Sequence, residues 1–355
     1  MEDEDLGPWN RTHEAKFLDL TSKEMCKRIK YFYRRNQPCE SEESSDGATK
    51  DSTRHLQVHH CSYFTMHEML QRHPHPTSRR NTPMDLREID RLEAGCEMID
   101  GQQNAVWYDD DGRKLVHYFP HFLNPALETE LMQAFRDLIE QYTPSKPAAS
   151  EKRSTQYDEW KAQLGENGKS GVIRLVYHHQ RGRSHSSEAG PLADLLGRSA
   201  RKTAAAMQFR KSEVMQNLAD WISILFAALD PPIWRRYREV YQLAAAEFPL
   251  LQESDSNHVQ CFVGQYLLIN MLTTPHYDVK DPPKGWVAMI VVGNYVRGNL
   301  IIPHLGIILP YKSGDIVFIR SWMLLHFINE YCGPERFVVV FSTTYSIFEW
   351  LRKTF

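Results

Sequence analysis

Beyond residue 259 the chain becomes a series of short β-branched and aromatic runs, at 259–272, 286–292, 299–302, 307–310, 315–319 and 336–344. Gly, Pro, Asn and Asp separate them, and Gly293-Asn294, Arg297-Gly298 and Ser313-Gly314-Asp315 read as turns. A short strand cannot bury its apolar face alone, so runs of this kind must pair into sheets and face a second layer. The expectation is a compact all-β barrel or sandwich.

Helices precede it. Val214, Leu218, Trp221, Ile222 and Leu225 lie on one stripe of a helix spanning 212–229, ended by Pro231-Pro232, and a second helix follows at 233–248. Upstream, 106–108 and 114–119 flank an Asp109-Asp110-Asp111-Gly112 turn and read as a hairpin, with a helix at 125–142 and a strand at 171–177. Polar linkers are expected at 143–154 and 181–187. A helix with a basic end is expected at 16–35, and 36–83 reads as a His-, Ser- and Pro-rich linker, except that 63–70 carries apolar residues able to dock on the body. The expected class is α+β, with a jelly-roll core, packed helices and an N-terminal extension. Residues 1–105 form that partly helical extension, and 106–355 form the main domain, with helical support at 125–250 and the β core at 259–345.

Composition excludes more than it selects. Charged residues make up 25% of the 355, and the net charge of −3 argues against a wholly basic nucleic-acid coat protein while leaving room for a local basic patch. The six cysteines form no C-x-x-C pair, so no structural zinc or redox dithiol is expected. No apolar run is long enough to span a bilayer, and the chain opens on acidic residues rather than a leader, so an intracellular protein without a membrane partner is expected.

The chemistry concentrates in Thr274-Pro275-His276-Tyr277-Asp278, at the end of a strand-like run. In extended chain, i and i+2 point the same way, so His276 and Asp278 can face one metal. One or two His-x-Asp/Glu matches are expected by chance among 16 histidines; this is the only one, and its weight comes from the strands that follow. A third ligand is needed. His326 is favoured, with His304, in the turn-like Pro303-His304-Leu305-Gly306, as the alternative. Two histidines and one carboxylate leave three octahedral positions open, the arrangement used by non-haem Fe(II) oxygenases. Arg336 opens the last apolar run, where a guanidinium fork suits a carboxylate in a barrel interior such as the distal carboxylate of 2-oxoglutarate.

Residues 259–344, with His276-Tyr277-Asp278, Gly285-Trp286, Arg297-Gly298-Asn299-Leu300, Ser313-Gly314-Asp315, Arg320-Ser321, His326 and Glu335-Arg336-Phe337, resemble the Fe(II)/2-oxoglutarate-dependent dioxygenases. They look most like the fungal branch of the ten-eleven translocation/J-binding protein group. The resemblance implies a double-stranded β-helix, iron on His276, Asp278 and His326, and 2-oxoglutarate as cosubstrate on Arg336. It also implies hydroxylation or oxidative demethylation of a C–H bond, most naturally in a methylated DNA or RNA base, and with it a nuclear rather than cytoplasmic location. Two positions depart from the family. Tyr277 stands where many relatives have Arg, and Val338 where a small hydroxyl residue usually contacts the cosubstrate, so a Tyr, Thr or Asn from another strand would have to supply that contact, with Asn270 and Gln265 as candidates. Candidate substrate contacts are Tyr277 and the cluster Arg174, His178, His179, Arg181 and Arg183, continued by Arg198, Arg201, Lys202, Arg210 and Lys211. The same chemistry on a small molecule or protein side chain, and a non-catalytic binding module on the same fold, stay open as alternatives.

Overall fold

The computed structural model describes residues 56–61, 65–72, 84, 86–145, 169–179, 189–191, 194–195, 199–252 and 259–354. The expected helix at 16–35, the loop at 181–187 and most of the linker at 143–154 lie outside them.

Upstream strands are β1 (Gln57–His60), β2 (Glu97–Met98), β3 (Ala105–Tyr108), β4 (Lys114–Phe119), β5 (Gly171–Leu175), β6 (Tyr177–His179) and β7 (Ala189–Pro191). The rest are β8 (Gly264–Ile269), β9 (Val287–Arg297), β10 (Leu300–Ile302), β11 (Ile307–Leu309), β12 (Ile316–Ile319), β13 (Phe327–Ile328) and β14 (Tyr331–Ser342). They build an eight-stranded sheet in the order β1-β3-β4-β12-β9-β14-β8-β5, a four-stranded sheet β13-β10-β11-β2, and the pair β6-β7. Helices are α1 (Met66–Arg72), α2 (Leu86–Ala94), α3 (Pro125–Gln141), α4 (Ala200–Lys211), α5 (Glu213–Leu229), α6 (Pro231–Glu247), α7 (Pro249–Gln252) and α8 (Tyr345–Thr354).

Alternation along the strands sorts side chains into two layers. Val287, Met289, Val291, Val317, Ile319 and Val338 of the large sheet pack in one core cluster with Leu300, Ile302 and Leu309 of the small one. On the opposite face, Phe337 stacks on Phe135 of α3 at 4.8 Å, and Phe318 lies 6.1 Å from Phe226 of α5. Both faces of the central strands are covered, which is why β12 reads as an unbroken apolar run rather than an alternating one. Two facing sheets with helices against the outer face of the larger one make a double-stranded β-helix with helical support.

Three differences from the sequence reading have local causes. The folded body begins before residue 106: β1 lies inside the expected linker, yet pairs in parallel with β3, and its polar-looking His59 and His60 stack on Trp107 and Tyr108. Those partners sit on another strand, so composition could not show them. Met66 and Met69 of the adjoining helix join the same core. Secondly, Gly293-Asn294 is strand rather than turn, because β9 runs on to Arg297 beside an irregularity in β14. Gly293 is needed there, since at φ 152° any Cβ would lie 2.2 Å from the Glu335 carbonyl oxygen. The third is α4, whose apolar spacing is too weak to announce a helix.

Asp315 pins the hairpin strand β4 to β12. Its fully buried carboxylate accepts hydrogen bonds from Tyr118 Oη at 2.7 Å and from the His121 and Lys312 N–H groups at 2.7 and 2.8 Å. Burial pushes the carboxyl from 3.8 up to about 6, against the pull of those three bonds. A folded-state value above the unfolded one means this group's share of stability is complete below about 3.8 and is lost as pH rises through 6. The expected share is about 3 kcal/mol. It is measured as the pH 4–7 slope in urea-unfolding free energy that disappears in Asp315→Asn.

Candidate metal centre

The segment carrying His276 and Asp278 follows β8, and His326 immediately precedes β13. An antiparallel bridge joins them: His276 N–H donates to the His326 carbonyl at 3.2 Å, and His326 N–H returns to His276 at 3.1 Å. Asp278 is anchored through its own N–H, which donates to the Ser321 carbonyl at 3.1 Å. Position is therefore set by backbone.

Each imidazole commits one nitrogen outward. His276 Nδ1 lies 2.7 Å from the Thr274 carbonyl oxygen and His326 Nδ1 lies 2.9 Å from that of Leu324. Carbonyls only accept, so both Nδ1 atoms carry a proton, and in the neutral rings both Nε2 atoms present lone pairs, the tautomer a metal ligand needs. The two Nε2 atoms sit 3.7 and 3.5 Å from the Asp278 carboxylate, and all three donor atoms lie within 4.8 Å of one another. Both histidines are buried. The set suits a divalent transition ion that keeps open positions.

His304, the other candidate for third ligand, is not in this cluster. It sits in a 3-10 turn at Pro303–Leu305 between β10 and β11, accepts the Leu325 N–H on Nδ1 at 3.0 Å, and places Nε2 3.4 Å from Tyr277 Oη.

Arg336 rises from the inward face of β14, on the same side as Val338. It is 2% exposed, and neither Nε nor Nη2 has a hydrogen-bond partner among the described residues. Its guanidinium carbon is 5.3, 5.6 and 5.3 Å from the ring centres of Tyr295, Tyr311 and Tyr331. Those rings stabilise the cation through their faces and leave Nε and Nη2 without a hydrogen-bond partner among the described residues. Tyr311 Oη is likewise buried without a partner among the described residues. Gly298 keeps the cradle open, since a Cβ there would lie 3.2 Å from Arg336 Nε. A buried fork of unused donors beside an unused hydroxyl fits a carboxylate. The tyrosines come from three chain segments and carry no local motif, so the sequence allowed a tyrosine from another strand without singling out these three.

Two expected cosubstrate contacts have other roles. Asn270 accepts the Arg336 N–H on Oδ1 at 2.8 Å and donates Nδ2 to the Lys169 carbonyl at 3.0 Å, so its amide holds the strand that carries the arginine. Gln265 pairs with Phe341 in the β8–β14 register, one residue out of step with Val338 and Val340. It therefore faces the helical layer, across the sheet from Arg336. The basic cluster also divides. Arg174 is engaged by Asp194, 3.5 Å away, and Arg210 is buried rather than on a surface. His178 and His179 lie on β6 as backbone positions, while Arg181, Arg183 and Arg198 lie outside the described residues.

Arg320 and Trp286 brace the site from the helical side. Arg320 Nη2 and Trp286 Nε1 each donate to Asp230 Oδ2 at 2.9 Å, and the guanidinium sits 4.3 Å over the indole. Among the described residues, no helix is long and apolar enough to cross a membrane.

No family model and no curated protein matches this chain. Solved structures similar to it include NgTET1 in complex with 5mC DNA, 14% identical with a TM-score of 0.47 over 73% of this chain and 90% of that one. OsALKBH1 is 11% identical, TM-score 0.31, over 64% and 96%. A 2OG-Fe(II) oxygenase family oxidoreductase from Burkholderia pseudomallei is 10% identical, TM-score 0.27, over 62% and 90%.

Proposed function

We propose that this protein is an Fe(II)- and 2-oxoglutarate-dependent oxygenase acting on a C–H bond of a methylated nucleic-acid base. The observation that carries the reading is the pairing of two groups. Two imidazoles with fixed Nδ1 protons converge on one carboxylate, and an arginine whose Nε and Nη2 have no partner among the described residues lies on the inward face of the same sheet pair. When bound, the iron supplies the chemistry that couples conversion of 2-oxoglutarate and O2 to succinate and CO2 with insertion of the second oxygen atom into a C–H bond.

The chain's own residues supply placement. His276, His326 and Asp278 would hold the metal, two neutral donors and one negative charge leaving open positions for the 2-oxo acid end of the cosubstrate. Arg336 would fork onto the distal carboxylate, with the Tyr311 hydroxyl giving the second contact that Val338 cannot. The apolar walls of the sheet pair keep water from the oxidising site.

The nucleic-acid substrate is supported by the resemblance of 259–344 to the ten-eleven translocation group; a base in a duplex would have to be flipped out to reach a buried metal. A nuclear location belongs to the same proposal. The test supplies purified full-length protein with Fe(II), ascorbate and 2-oxoglutarate, and measures succinate against a panel of methylated DNA and RNA oligonucleotides, methylated peptides and small molecules. Succinate coupled to base oxidation is the expected result. Turnover confined to peptides or small molecules would move the substrate, and no succinate with any member would leave a binding module.

A further inference from the structure

We propose that His304 is a positioning residue of the metal centre, orienting the His326 imidazole through the Leu324–Leu325 peptide and tying it, through Tyr277, to the segment of the other two ligands. The inference rests on the metal reading above and assigns a role to a histidine that is not a ligand.

One peptide unit links the two histidines. Its carbonyl, on Leu324, accepts the proton of His326 Nδ1 at 2.9 Å, and its N–H, on Leu325, donates to His304 Nδ1 at 3.0 Å. A peptide is planar, so fixing the direction of the N–H fixes that of the carbonyl. Hydrogen bonds at the two ends of one amide also polarise each other in the same sense. Because His304 Nδ1 accepts, its neutral ring carries the proton on Nε2, and that N–H points at Tyr277 Oη, 3.4 Å away. The relay runs from His326 through the peptide and His304 to Tyr277, the residue between His276 and Asp278.

Tyr277 is suited to this end of the relay. In extended chain it points away from the side shared by its neighbours, towards His304, with ring centres 5.8 Å apart. The turn holding His304 is itself well defined, opening on Pro303 and closing on Gly306 at φ 64°. A single imidazole thus spans, through side chains, the two chain segments that supply all three ligands, which are otherwise joined by backbone hydrogen bonds at His276–His326 and Asp278–Ser321.

The test is Co(II) titration of the full chain, followed by visible absorption and by the paramagnetically shifted imidazole N–H resonances. His304→Met fills the same space without either hydrogen bond. It should weaken Co(II) about 10-fold or more and speed solvent exchange of the His326 N–H, with the His276 N–H unaffected. His304→Asn places an acceptor near the Nδ1 position and should recover most of the affinity, and Tyr277→Phe, which keeps the Leu325 bond, should cost less than His304→Met. If His304→Met does not fold, His304→Gln carries the same expectation, since it can reach Tyr277 but presents no acceptor at the Nδ1 position. Wild-type affinity and N–H exchange in these variants would overturn the inference while leaving the metal reading intact. Failure of the unmodified protein to take up Co(II) would remove the metal reading, and this inference with it.

Discussion

Arg336→Met should weaken 2-oxoglutarate binding by at least about 30-fold, corresponding to the low end of what losing a buried charge-assisted pair costs. Without 2-oxoglutarate the same change should leave the thermal midpoint unchanged or higher, because the guanidinium has two unpartnered, buried nitrogens and its removal relieves that burial. The combination is diagnostic: a residue that only filled the core would lower the midpoint and leave ligand binding alone. Arg336→Lys keeps the charge among Tyr295, Tyr311 and Tyr331 but loses the planar fork, so its affinity should fall between the two. Tyr311→Phe should cost about 10-fold, the worth of one hydroxyl contact. Gln265→Ala should cost nothing in affinity, since that side chain faces the helices. Isothermal titration with 2-oxoglutarate on Mn(II)-loaded protein reads all of these.

Asp278→Ala should lower Fe(II) or Co(II) affinity by more than the 10–100-fold typical of outer contacts, and leave less than about 1% of wild-type succinate release. It removes the only anionic donor of the cluster, so two neutral imidazoles would face a divalent ion alone. The fold should persist, because what ties this position to the opposite segment is the Asp278 N–H on the Ser321 carbonyl, and alanine keeps that group. Circular dichroism on the apo-protein and metal titration separate the two effects. Full turnover in Asp278→Ala would sink the metal-centre reading, whatever the substrate.

These two changes mark the reach of sequence reading in this chain. The partners within one strand end were legible, because a period of two puts His276 and Asp278 on one side wherever the chain is extended. The strand runs and the helices at α3, α5 and α6 were legible for the same reason: each repeats its apolar residues at its own local period. Turn chemistry was a weaker guide. Gly293-Asn294 has turn composition, but the glycine answers a close approach by Glu335 on a neighbouring strand. His59 and His60 made β1 look like linker until Trp107 and Tyr108 supplied the faces they stack on.

What the sequence by itself determined is the menu of donors: a His-x-Asp pair, histidines downstream, and an arginine at the head of an apolar run. Which of them act together was decided only by the tertiary structure. Pairing brought His326 rather than His304 to the carboxylate and gave His304 the Leu325 N–H instead. The β8–β14 register turned Gln265 to the helices, and three tyrosines from separate segments closed around Arg336 without giving its Nε or Nη2 a partner among the described residues. The physical reason is one of range. Side-chain direction along a strand is a local property, whereas register between strands is set by packing the whole sheet, and a shift of one residue exchanges every inward side chain for an outward one.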